Sequence, residues 1–135
     1  MNNPMDTSKT SVEIVVTAQV SLQTLADILI TAVEGGIGYW SQTVTYRWTE
    51  GPIHTYADII EVDEDEDEED HKHHKIDLEV IKRGIERCLS GAVKPSPSLR
   101  EMIHRAVVED DAGHVDSDAA DVVVQAGLFS EIVYG

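Results

Sequence analysis

The residues with the most evident chemical potential in this chain are gathered in one short stretch. Both tryptophans, Trp40 and Trp48, fall within it, with Tyr39 and Tyr46 beside them and Arg47 set between Tyr46 and Trp48. Such side chains bury large areas while presenting a polar tip, so they serve as core anchors or as stacking surfaces for a planar ligand. An arginine among them adds a cation and a flat guanidinium, a combination that suits a base and a phosphate together. Arg83 and Arg87, four residues apart on one helix, are the next cations an anion would meet. The expected ligand-binding residues are therefore Tyr39, Trp40, Tyr46, Arg47, Trp48, Arg83 and Arg87. Strand alternation turns Arg47 away from Tyr46 and Trp48, so only a groove shared with another element or subunit could unite them.

Other candidate chemistry is less well supported by spacing. Residues 63–70 are an unbroken acidic run, followed directly by His71-Lys72-His73-His74-Lys75. Imidazole and carboxylate suit a divalent transition metal, but no fixed spacing holds these groups, and no metal site is expected. Like charges in a block read as a solvated loop, and imitation of DNA would need carboxylates on a rigid surface at phosphate-like intervals. Asp110, Asp111, Asp116, Asp118 and Asp121 invite a calcium reading, but Ala120 stands at a ligand position and no glycine follows it. For catalysis the candidates are His54, His104 or His114 with an acid, or Cys88 with one of them. Cys88 falls on the apolar face of a helix, where a thiol is inert packing. No nucleophile and base stand at a telling spacing, so the sequence predicts no catalytic residue, no cofactor and no enzyme.

A length of 135 residues suits one domain with a real core. The formal charge of -16 opposes direct binding to nucleic-acid backbones or anionic membranes, which need basic surfaces. A single cysteine excludes an internal disulfide and fits a reducing compartment. The polar opening residues, with Pro4, predict no signal peptide, and no segment is long enough to span a bilayer. A cytoplasmic location is the expectation.

Hydropathy patterning places these residues on elements. Residues 12–18 are β-branched and predict a strand, with Ser21 capping a helix over 22–33 that Gly35-Gly36 ends. Alternation predicts a strand over 43–48, with Thr43, Thr45 and Arg47 on one side and Val44, Tyr46 and Trp48 on the other. A turn at 50–52 leads to a strand over 53–62, and the acidic run connects it to a short strand over 73–76. Asp77 caps a helix whose Leu78, Ile81, Ile85, Cys88 and Leu89 face inward, while Lys82, Arg83, Glu86 and Arg87 face out. Pro97 opens a third helix, with Ser98 and Glu101 at capping-box spacing. Ser117 caps a short fourth helix stopped by Gly127, and the apolar residues 128–135 predict a buried tail resembling a core strand. The fold expected is α+β: a small antiparallel sheet packed against about four helices, in one domain over 11–135. Residues 1–10 form a flexible N-terminus, and 63–75 an acidic, histidine-rich insertion.

Two segments carry a resemblance: Ala32-Val33-Glu34-Gly35-Gly36-Ile37-Gly38-Tyr39-Trp40, and Asp118-Ala119-Ala120-Asp121 through Val124-Gln125-Ala126-Gly127-Leu128-Phe129 to Ile132-Val133-Tyr134-Gly135. Together they resemble small accessory proteins of bacteriophages and prophages, and the acidic insertion lies outside the resembling pattern. The resemblance implies a phage setting, in which small non-enzymatic proteins oppose host defence by occluding a defence complex or sequestering a nucleotide signal. The partner expected is a host-defence protein or a nucleotide-type small molecule, in the host cytoplasm, and a homo-oligomer is compatible with this. The rival is an acidic protein that blocks a basic nucleic-acid-binding surface, and a small hydrolase stands third.

Overall fold

The core forms around the least amphipathic helix of the chain. In the computed structural model, which describes residues 10–12, 14, 17–62 and 71–135, Ser117–Phe129 is a 13-residue helix in which every residue from Ala119 to Gly127 is buried. A helix apolar nearly all round has no solvent face to offer and must be enclosed. This helix, α4 in chain order, touches every other α-helix and the last strand. It is neither short nor stopped at Gly127, but runs to Phe129 and ends at Ser130 in the left-handed conformation. Gly127 serves close packing instead. A Cβ there would lie 2.2 Å from the Val80 carbonyl oxygen, and one on Gly84 only 1.9 Å from that of Val123.

The other helices surround it in an order set by their caps and apolar faces. α1 (Leu22–Thr31) starts where the Ser21 hydroxyl accepts from the Thr24 N–H, and Leu25, Ile28 and Leu29 turn inward. α2 (Leu78–Ser90) is capped by Asp77 and closed by Gly91 at φ 88°, as the sequence predicts. Its buried face adds Val80 and Gly84 to the expected set. α3 (Pro97–Glu109) is capped by Ser96 rather than Ser98, and α4 by Asp116 rather than Ser117, one residue earlier than expected at α4 and two at α3. The earlier residue is the one with extended backbone whose side-chain oxygen reaches the N–H three residues on. α1 does not end at left-handed glycines. It passes into a π turn, Ala32–Gly36, closed by Ile37 N–H to Ala32 O at 2.9 Å. Gly36 is there because a Cβ would stand 2.6 Å from the Ser117 carbonyl oxygen.

One antiparallel sheet of three strands completes the α+β fold, in the order β1 (Ser41–Arg47), β2 (Tyr56–Glu61), β3 (His73–Ile76). The expected fourth strand is not seen. Val12, Ile14 and 17–18 carry no strand, with Val12 and Ile14 exposed, and residues 13, 15 and 16 lie outside the described residues. The β2–β3 hairpin forms as predicted, although β2 starts later because Pro52–His54 is a 3-10 turn. The acidic run 63–70 also lies outside the described residues. Within the sheet Ala57, Ile59 and Ile76 join the core, while Tyr56, Asp58 and Lys75 alternate onto the opposite face.

β1 corrects the expected alternation. Its register slips between Thr43, which pairs with Ile59, and Thr45, which pairs with Asp58, so Val44 is an extra residue in a bulge. Thr43 and Thr45 therefore sit at positions of opposite face, whereas Arg47 pairs with Tyr56 and Tyr46 with Ala57. Residues 128–135 form no strand. Leu128 and Phe129 finish α4 and pack on the core, Ile132 and Val133 are exposed, and beyond the helix Tyr134 packs back on the core. No helix among the described residues is long and apolar enough to cross a membrane.

Candidate functional site

The strand β1 divides the aromatic stretch into two groups. Trp40 precedes it and Trp48 follows it, eight residue steps away, which at extended rise is roughly 25 Å. The two tryptophans therefore cannot share one ligand.

At the first end, the π turn delivers Tyr39 and Trp40 against α4. Trp40 is only 1% exposed, and its Nε1–H donates to Asp121 Oδ1 at 2.8 Å. The Tyr39 hydroxyl donates to Asp121 Oδ2 at 2.6 Å, although the ring itself is largely exposed. Burial of the hydroxyl, together with the Asp121 carboxyl beside it, pushes the Tyr39 phenol up to about 12. Gln125, one turn after Asp121, donates from Nε2 to Asp121 Oδ1 at 2.9 Å. Its Oε1 accepts the backbone N–H of both Val133 and Tyr134 at 2.8 Å.

Aromatic packing continues this network to the sheet. The Tyr134 ring stacks on Trp40 at 5.1 Å and 5°, and Phe129 meets Trp40 edge-on at 5.6 Å. The Tyr134 hydroxyl donates to Glu61 Oε1, and His74 Nε2 lies 2.7 Å from Glu61 Oε2. Burial alone would raise the Glu61 carboxyl, but the hydrogen bonds from His74 and Tyr134 outweigh it and hold the group below its ordinary value. The segments 32–40 and 118–135 thus meet in one structural cluster, and Trp40 is core rather than a stacking platform.

The second end is open. Arg47, His54, Tyr56 and Lys75 line a hollow of about 360 Å³ on the face of the sheet turned from the helices, with Glu50, Ile53, Thr55 and Asp77 around them. Arg47 and Tyr56 are cross-strand partners, and the Lys75 ammonium lies 4.8 Å over the Tyr56 ring. Among the described residues Arg47 is paired only with Glu50, in an exposed contact at 3.6 Å. Tyr46 and Trp48 stand on the other side of the strand, their rings 6.2 Å apart. The Tyr46 hydroxyl is buried without a hydrogen-bond partner among the described residues, and its burial, with Glu34 nearby, pushes it up to about 12.

Of the expected binding residues, only Arg47 lines this hollow. Arg83 is exposed and Arg87 half-buried, on the outer face as expected, but both guanidinium groups reach across to α4. Arg83 donates to Gly127 O at 3.1 and 3.2 Å, and Arg87 to Ala126 O at 2.7 Å and Gly127 O at 3.1 Å. The two guanidinium groups thus bond carbonyls at the helix end, that of Gly127 and that of Ala126, which also accepts from the Ser130 N–H at 3.1 Å, where the helix dipole favours cations. Cys88 is fully buried, and burial pushes its thiol up to about 11, away from the thiolate form at neutral pH. Among the described residues no group of three or more His, Cys, Asp or Glu could hold a metal ion.

Sequence reasoning missed Tyr56 and Lys75 in the hollow, and Glu61, His74, Asp121, Gln125 and Tyr134 in the cluster. One signal was readable: Asp121 and Gln125 are polar, four apart, inside an otherwise small and apolar run. The hollow had no such signal, because its members converge only through strand register. Comparison with protein-family models, with curated proteins and with solved structures gave no match.

Proposed function

We propose that this chain is a phage-type accessory protein that binds without catalysis, holding a nucleotide-type signal of a host-defence system in the hollow on the open face of the sheet. The observation that carries this reading is the convergence of Arg47 and Lys75, with His54 and Tyr56, in about 360 Å³ on a chain of charge -16. Such a volume is of the size that small ligands occupy. An anion approaching so acidic a molecule needs local cations, and a guanidinium beside an ammonium supplies both a planar fork and a point charge for phosphate. Tyr56 offers a ring to a base once the Lys75 ammonium turns to the phosphate. The exposed Arg47–Glu50 pair gives way at small cost, since such pairs contribute about 0 to 1 kcal/mol.

Calorimetric titration of the full chain with linear and cyclic mono- and dinucleotides tests this reading. Arg47→Ala should weaken binding by about 1.5 to 3 kcal/mol, the scale of a hydrogen bond to a charged group, while the thermal midpoint stays in place. Normal binding by both Arg47→Ala and Lys75→Ala would remove the hollow from the reading. The charge of -16 favours a second reading, occlusion of a basic nucleic-acid-binding protein by this acidic surface. Salt separates the two, because contacts between opposed charged surfaces weaken steeply with ionic strength while a stacked nucleotide loses less.

A further inference from the structure

Residues 130–135 start at a strained residue. Ser130 has φ 61° and ψ 15°, a left-handed conformation that a residue bearing a Cβ adopts only at a cost. Beyond it the chain doubles back into a slot that grips it at several points. The Gln125 amide brackets the backbone, accepting from Val133 N and Tyr134 N and donating to Tyr134 O at 3.2 Å. The Trp40 indole receives the Tyr134 ring face to face, and Glu61 receives its hydroxyl. Between these points the Ile132 and Val133 side chains stay exposed, at 40% and 47%.

This is how a short peptide is recognised: backbone hydrogen bonds to a fixed amide, one aromatic anchor and one polar tip. Every group that grips lies upstream of the hinge at Ser130, so the slot would be left whole, facing solvent, if the segment swung away. We infer that residues 130–135 exchange between two copies of this chain, the slot of each copy taking the peptide of the other. The occupant is a second copy because the peptide already seated in the slot is the chain's own, and in trans it makes the same contacts. A strained hinge favours the exchanged form, since opening Ser130 releases the left-handed geometry while the slot contacts are regained. The charge of -16 on each copy opposes the pairing, so it strengthens as salt rises.

The test uses the full chain in sedimentation equilibrium at low and high salt. Ser130→Gly, which adopts the left-handed turn freely, should shift the population to monomer; Ser130→Val, which resists it, should tighten dimerisation tenfold or more relative to Ser130→Gly. Tyr134→Ala, which leaves the slot intact but removes the anchor from its own peptide, should bind a synthetic peptide of residues 130–135 in trans. Trp40 fluorescence reports this, and a peptide with alanine in place of the tyrosine should give no change. Equal monomer fractions for the two Ser130 variants at every salt concentration would overturn the inference. So would a folded Tyr134→Ala protein whose fluorescence ignores the peptide at millimolar concentration.

Discussion

Asp121 and Gln125 connect the parts of this molecule through two side chains one helical turn apart. A single carboxyl accepts from the indole of Trp40, the phenol of Tyr39 and the amide of Gln125. Asp121→Ala would leave the buried Trp40 Nε1–H with no acceptor, at the full cost of desolvation, and would take from the Gln125 amide its shortest one. We expect it to lower stability by about 3 kcal/mol in urea denaturation, with Asp121→Asn costing less because one carbonyl oxygen remains. Glu61 gives a pH dependence. Its folded carboxyl is held below the ordinary value, so its contribution is fully present above the unfolded pKa and is lost as the pH falls through the lowered folded one. Stability followed from neutral pH into that acid range should therefore decline in the native chain, and part of that decline should be missing in Glu61→Gln. These residues escape a linear reading because their partners lie as many as 86 positions away, as from Tyr39 to Gln125.

At the scale of elements, the packing of α2 on α4 depends on two glycines that face the opposite backbone. Gly84→Ala would drive a Cβ to within 1.9 Å of the Val123 carbonyl oxygen, and a helix cannot shift aside without opening the core. We expect a loss of about 3 kcal/mol or more, visible as a large drop in melting temperature, whereas Gly38→Ala, which meets nothing within 4 Å, should change stability by less than about 1 kcal/mol. The legible elements were those whose periodicity is a consequence of one buried face: α1, α2, α3 and the β2–β3 hairpin. α4 was underestimated because a helix enclosed on all sides shows no such contrast. Of the expected strand over 12–18, the described residues 12, 14, 17 and 18 carry none, for another reason. β-branched composition describes a fit to a pleated, half-buried surface, and without a neighbouring strand to pair with it specifies nothing. The bulge at Val44 was equally invisible, since one inserted residue resets a two-residue period without changing composition.

Taken whole, the molecule separates its structural contacts from its open surface. The cluster around Trp40 holds α4, the sheet and residues 130–135 together, while none of the residues lining the hollow around Arg47 belongs to the apolar core cluster. The aromatic stretch was legible as the centre of organisation, but its division between these two roles depends on the length of β1. The acidic run belongs to this scale too, because its charge acts on the entire chain. Replacing residues 63–70 with a neutral Gly-Ser linker should keep the melting temperature or raise it, since eight like charges oppose compaction and bury no apolar area. A fall of several degrees in a thermal scan would contradict that. Exchange of residues 130–135 between copies would also place two hollows on one particle, so a ligand or partner with two anionic ends would be held by both at once.

The π turn at Ala32–Gly36 has a consequence for how this chain tolerates change in length. A helix keeps its phase by counting residues, about 100° for each, and the wide turn means that the count here runs one over. Losing any one residue from that turn would yield a more regular helix by local standards. Because the turn holds the surplus residue, the chain beyond it would keep its direction, and the Trp40 indole its place at Asp121, whereas a residue lost from the regular turns of α1 would rotate everything that follows by about 100°. The irregularity thus absorbs a change in length that the regular helix would pass on to the rest of the molecule.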